Sequence, residues 1–117
     1  MNTKEKEYMT NYMKKQLNAA FNDLADFAAR KDVDGFLDYL DHPELFSNHD
    51  YVGINFVIDS QRELIGCQIE LAAGGPTTWA DTQNKILTTT WNGGEISREL
   101  STEICEFVNF VILEYVF

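Results

Sequence analysis

Basic residues are scarce in this chain. Nine Lys and Arg stand against nineteen Asp and Glu, which leaves a net charge of -10 over 117 residues. A surface of that sign repels a phosphate backbone, so direct nucleic-acid binding is disfavoured and a basic protein partner is favoured. Cysteine is sparse too: Cys67 and Cys105 lie far apart, form no C-x-x-C and each fall in an apolar pattern. Buried free thiols are therefore expected rather than a disulfide. No apolar run opens the chain, and "MNTKEKEYMT" does not read as a secretion signal. The longest apolar stretch, "FVNFVILEYVF", is interrupted by Asn109 and Glu114 and is too short to span a bilayer. A soluble intracellular protein with no membrane partner is expected.

What is present suits a packed globule. Apolar residues make up 44% and aromatics 13%, enough for a core without disulfides. The length fits a single domain over 1–117, with a helical part at 1–45, an antiparallel sheet at 51–92 and a helix at 101–117.

Local patterning supports those divisions. Met9, Met13, Leu17, Ala20, Phe21, Leu24 and Phe27 recur at three- and four-residue steps, so residues 3–30 are predicted to be helix. Asp32 is a plausible cap for a short second helix whose apolar face is Val33, Phe36, Leu37 and Leu40, ended by Pro43. The period then changes to two. Ile54, Phe56 and Ile58, and after "DSQR" Ile65, Cys67, Ile69 and Leu71, form a hairpin with one buried face. Thr77–Asp81 and Ile86–Trp91 read as two further strands around the turn "TQNK", and "NGG" makes the next turn. Ser101 caps a final helix carrying Ile104, Phe107, Val108, Val111 and Tyr115. That helix is apolar nearly all round at its end, which implies deep burial or a homodimer interface. Its β-branched content leaves a strand as the alternative for 110–117. The predicted order is α-α-β-β-β-β-α, an α+β fold with a four-stranded antiparallel sheet of two hairpins and helices on one face.

No catalytic pattern emerges. The Gly74-Gly75-Pro76 run precedes a strand-like Thr-Thr-Trp, and Pro76 lacks an N–H, so it reads as a strand corner and not a phosphate cradle. His42 and His49, with Asp41, Glu44 and Asp50, match no metal-ligand spacing and are expected to be loop residues. There is no G-x-S-x-G elbow. Cys105 falls in a helix first turn, where the dipole lowers a thiol pKa, but no histidine is nearby in sequence. Neither a cofactor nor a metal is expected.

The acids are the remaining feature. Residues 21–50 hold eight of them against Arg30 and Lys31. Asp23 and Asp26, the Asp34, Asp38 and Asp41 stripe, and Glu44 and Asp50 form the densest set. Glu95, Glu99, Glu103 and Glu106 form a second. They read either as a solvated surface or as phosphate mimics for a basic groove. Trp79 and Trp91 read either as core or as interface anchors, with burial expected for at least one. Thr77, Thr88 and Thr90 suit an exposed strand face.

At "GGPTTWADTQNKILTTTW" the chain resembles small acidic proteins carried by phages, plasmids and integrative elements. The residues that carry the likeness are Gly74-Gly75-Pro76, Trp79, Asp81, Thr82 and Trp91, with an acidic helix after Leu100-Ser101. It spans roughly residues 65–115. Some proteins of this type are anti-CRISPR or anti-restriction inhibitors. The resemblance implies stoichiometric binding to a host defence protein in the bacterial cytoplasm and does not identify the target. It implies no catalysis and no particular binding residues. The net charge of -10 on a fold with no visible active site adds the expectation of a nuclease complex with a basic groove, a CRISPR–Cas effector such as Cas9 first and a restriction enzyme next. An acidic interaction module or dimeric accessory protein is the alternative.

Overall fold

A computed structural model describes residues 2–40, 53–72 and 75–116. Helix α1 runs Thr3–Arg30. The Asn2 side chain accepts the Glu5 N–H at 2.8 Å at its start, and Lys31 adopts a left-handed conformation (φ 53°) at its end. Met13, Leu17, Ala20, Leu24 and Ala28 form its buried stripe. Helix α2, Val33–Leu40, begins where Asp32 accepts the Gly35 N–H at 3.0 Å, and it buries Phe36 and Leu40.

Five strands follow: β1 Ile54–Ile58, β2 Leu64–Ala72, β3 Thr77–Asp81, β4 Ile86–Trp91 and β5 Gly94–Glu99. Helix α3, Thr102–Tyr115, closes the order, with Ser101 accepting the Ile104 N–H at 3.2 Å. The sheet is one antiparallel meander in the order β1-β2-β3-β4-β5. The fold is α+β, but the sheet has five strands and not four, and it extends to Glu99.

The extra strand has a clear physical origin. Asn92 (φ 48°) and Gly93 (φ 85°) make a two-residue turn, flanked by the Trp91–Gly94 pair. Two left-handed residues in succession give the backbone twist that returns a strand onto its neighbour, and Asn-Gly adopts it readily. The strand it launches, "GEISRE", has one large apolar residue, Ile96, so no alternation advertises it. As an edge strand it needs cover on one face only. Ile96 packs against the core, and the Arg98 guanidinium lies 3.4 Å from the centroid of the Phe21 ring on α1.

The other turns are held by carboxylates. Asp59 Oδ1 accepts the N–H groups of Gln61 and Glu63, and Asp81 Oδ1 accepts that of Asn84. Such side-chain acceptors replace the missing ladder partners of a turn. The expected corner falls between β2 and β3; of it, Gly74 lies outside the described residues. The Pro76 carbonyl accepts Gln16 Nε2 at 3.0 Å, which ties the corner to α1.

The helices occupy one face of the sheet. α1 lies across β3, β4 and β5, α3 lies over β2, and α2 packs on α1. Between helices and sheet sit Leu24, Ile69, Leu87, Val108 and Ile112, and Phe36 is buried among the three helices. The inner face is not buried throughout. On β1 only Ile54 is covered, whereas Phe56 and Ile58 are 40% and 48% exposed. Ile65, expected on the buried face, is the unpaired residue of the β1–β2 bulge and is 45% exposed, while Leu64 pairs with Ile58 and packs on the core. At the end of α3, Val111 and Ile112 are buried while Phe110, Leu113 and Tyr115 are exposed, so the last turn is covered on one side only. It is helical to Tyr115, not a strand.

Candidate interaction surface

The carboxylates singled out in the sequence divide differently in space. Asp23 and Asp26 are exposed on α1, and Asp34 and Asp38 are exposed on α2. Partial burial, then the neighbouring Asp26 charge, pushes the Asp23 carboxyl up. The Asp23 charge in turn adds to burial in pushing the Tyr39 hydroxyl up to about 12, so α1 and α2 bring this acid beside that ring. Glu103 and Glu106 line a cleft of about 300 Å³ with Ala28, Lys31, Val33, Phe107 and Phe110. That cleft lies between α3 and the junction of α1 with α2, so this pair belongs with the helix layer. Glu95 and Glu99 do not join it. Asp41, Glu44 and Asp50 lie outside the described residues, as do His42 and His49.

Glu95 and Glu99 project from the opposite face of the sheet. Strand pairing fixes this, because directly opposed residues share a face and alternate residues do not. Leu87 pairs with Arg98, and Thr89 with Ile96, on the helix side. Ile86, Thr88 and Thr90 pair with Glu99, Ser97 and Glu95 on the other. Followed across the sheet, the open face carries three rows beyond the Val57–Gly66 pair at the β1 end. One is Asn55, Gln68, Asp81, Ile86 and Glu99. The second is Glu70, Trp79, Thr88 and Ser97, and the third is Thr77, Thr90 and Glu95.

Side-chain hydrogen bonds run along the first row. Asn55 Nδ2 donates to Gln68 Oε1 at 3.4 Å, and Gln68 Nε2 donates to Asp81 Oδ2 at 3.3 Å. Asn84 Nδ2 reaches the same Asp81 oxygen at 2.9 Å. Burial would push the Asp81 carboxyl up, but the Asn84 N–H and amide, Gln68 and the Gln83 N–H together hold it below its ordinary value. A depressed folded-state pKa contributes stability that is complete above the unfolded value of about 3.9 and is lost as pH falls through the folded value. Thermal melts followed by circular dichroism should show stability falling below about pH 4. Asp81→Asn should make that fall shallower, and an unchanged acid limb would remove Asp81 from the account.

The two tryptophans separate onto opposite faces. Trp91 sits 5.2 Å, centroid to centroid, from Tyr12 of α1, on the helix side. Trp79, paired with Glu70 and Thr88, stands in the middle of the open face and is partly exposed. Thr77, Thr88 and Thr90 share that face, as their pattern implied.

A second polar cluster is internal. Thr82 Oγ1 accepts the Cys67 N–H at 2.9 Å and donates to Asn109 Oδ1 of α3 at 2.7 Å. Both cysteines are buried free thiols. Burial pushes Cys67 up to about 11 and raises Cys105 as well, against the expectation that the helix start would lower it. Thiols in that state are poor nucleophiles. The cluster joins α3 to β2. Among the described residues, no three His, Cys, Asp or Glu side chains are placed to hold a metal ion. No helix among them is long and apolar enough to cross a membrane.

Comparison with known protein families, curated proteins and solved structures finds no match.

Proposed function

We propose that this chain is a non-enzymatic binding protein of a phage or other mobile element, acting in the cytoplasm of its bacterial host. Its partner is a host defence nuclease complex with a basic groove, a CRISPR–Cas effector foremost, and its effect is to keep nucleic acid out of that groove. One observation carries the reading. Asp23, Asp34, Asp38, Glu95, Glu99, Glu103 and Glu106 are exposed, and none has an ion-pair partner among the described residues. Asp26 alone of the described candidates is paired, to Arg30 at 2.9 Å. Carboxylates held at the surface without cations are free to meet the cations of a partner. That the target is a defence protein rests on the resemblance at Gly74–Trp91.

The test is capture on the immobilised protein from a bacterial lysate containing both CRISPR–Cas and restriction systems. A nuclease complex should be retained at low salt, released at high salt, and inhibited in DNA cleavage by the pure protein. Affinity that does not change with salt would overturn the phosphate-mimic reading.

A second reading has its own observation. Phe110, Leu113 and Tyr115 are exposed along the end of α3, and a dimeric accessory protein would cover them. Light scattering on the purified protein separates the two. A tight dimer that retains no nuclease favours the accessory role.

A further inference from the structure

The open face of the sheet, opposite the helices, carries a partner-binding pattern distinct from the acid-rich helices. We infer that this face, centred on Trp79, docks an arginine-bearing protein surface. The inference deepens the proposed function and rests on its claim of a basic partner.

Charge complementarity identifies the occupant. The face displays Glu70, Asp81, Glu95 and Glu99, and no described Lys or Arg belongs to its three rows. Two cations from the same part of the chain are turned away from it. Arg98 lies over Phe21 and donates to Asn18 Oδ1 at 2.9 Å on the helix side, and Lys85 Nζ donates to Thr102 Oγ1 at 3.2 Å. The sheet thus directs its base inward and its acids outward.

Trp79 supplies the preference for arginine. An indole face attracts a guanidinium, which stacks on it and still presents N–H groups at its rim. Glu70 stands directly opposite Trp79 on β2, and Thr88 directly opposite on β4. Directly opposed side chains start about 5 Å apart. A guanidinium on the indole therefore has a carboxylate on one flank and a hydroxyl on the other. The Asn55–Gln68–Asp81–Asn84 chain of hydrogen bonds holds the adjacent row in place before any partner arrives. A pre-ordered polar surface loses little side-chain freedom on binding.

The probe is a nona-arginine peptide, with nona-lysine as its comparison, titrated at low salt into the isotopically labelled full chain. Backbone and indole N–H shifts report where each binds. Nona-arginine should move the Trp79 indole signal and the Glu70 and Thr88 amides while leaving the Trp91 indole in place. It should bind more tightly than nona-lysine. Trp79→Ala should reduce affinity for nona-arginine by roughly 3- to 30-fold and abolish the preference over nona-lysine. Trp79→Phe, which keeps a ring in place, should retain part of that preference. Binding with shifts confined to Asp23, Asp34, Asp38, Glu103 and Glu106 would overturn the docking face and leave the basic-partner reading standing. No binding of either peptide would overturn both.

Discussion

Phe36→Ala is expected to destabilise the domain by about 3–5 kcal/mol, the range for removing a large aromatic side chain from a closed core. Phe36 is 0% exposed and touches all three helices. Its ring lies 5.7 Å from Phe27 on α1, 6.4 Å from Tyr39 on its own helix and 5.6 Å from Phe107 on α3. α2 has only eight residues, too few to hold its shape without tertiary contacts. Truncation would remove its main anchor and loosen the carriage of Asp34 and Asp38. A domain of this size has about 5–15 kcal/mol in total, so the midpoint of thermal unfolding should fall by roughly 10–20 °C. Phe110→Ala, at a ring 51% exposed on α3, should shift stability by no more than about 0.5–1 kcal/mol. Equal shifts for the two variants would show that the aromatic cluster does not join the helices.

Thr82→Val is expected to be the next most damaging change, at about 2–3 kcal/mol. The shape is nearly preserved, so the loss is almost purely polar. The Cys67 N–H points from β2 toward the end of β3 and finds a hydroxyl there in place of a backbone carbonyl. Without it the amide is buried with its acceptor removed, and Asn109 Oδ1 loses a donor at 2.7 Å. Amide exchange at Cys67 should accelerate in the variant beyond the change seen in the rest of β2. Thr82→Ser, which keeps the oxygen, should recover most of the loss. A Thr82→Val protein as stable as the parent would mean that water reaches the Cys67 amide.

Both helices of the N-terminal region were legible because local chemistry and long-range packing agree there. The stripe from Met13 to Ala28 follows the helical period, and Asp32 and Ser101 cap as their residue types suggest. The fifth strand was missed although its signal is printed in the chain. Asn92-Gly93 is the strongest short hairpin signal known, but "EISRE" has a single large apolar residue and no alternation to extend that turn into a strand, because an edge strand tolerates polar residues. The second acid set shows the opposite failure. Glu95, Glu99, Glu103 and Glu106 follow one another at four-residue intervals or less, which suggests one surface. The chain changes from strand to helix at Leu100-Ser101 and sends the two pairs to different faces.

The separation of Trp79 from Trp91 follows from parity alone. Trp79 pairs with Thr88, and Thr88 and Trp91 are three residues apart on one strand, so the two indoles must emerge on opposite sides. Only the exact pairing was missing from the sequence. Thr82 and Asn109 had no such signal. They are 27 residues apart, and neither residue type announces a buried partner.

The order of elements also governs how the protein is made. Every β-strand pairs with its neighbour in sequence, so the sheet can assemble from short-range contacts as it is synthesised. α1 cannot settle at the same pace. It lies chiefly on β4 and β5 and against α3, all of which are translated well after it. At about 5–20 residues per second, the stripe from Met13 to Ala28 has no finished surface to rest on for several seconds. Lys4, Lys6, Lys14 and Lys15 and the acids beyond Leu24 give that helix the charge that favours solubility during the interval. The same surface charge is thus expected to shield the nascent chain from the exposed apolar stripe of α1.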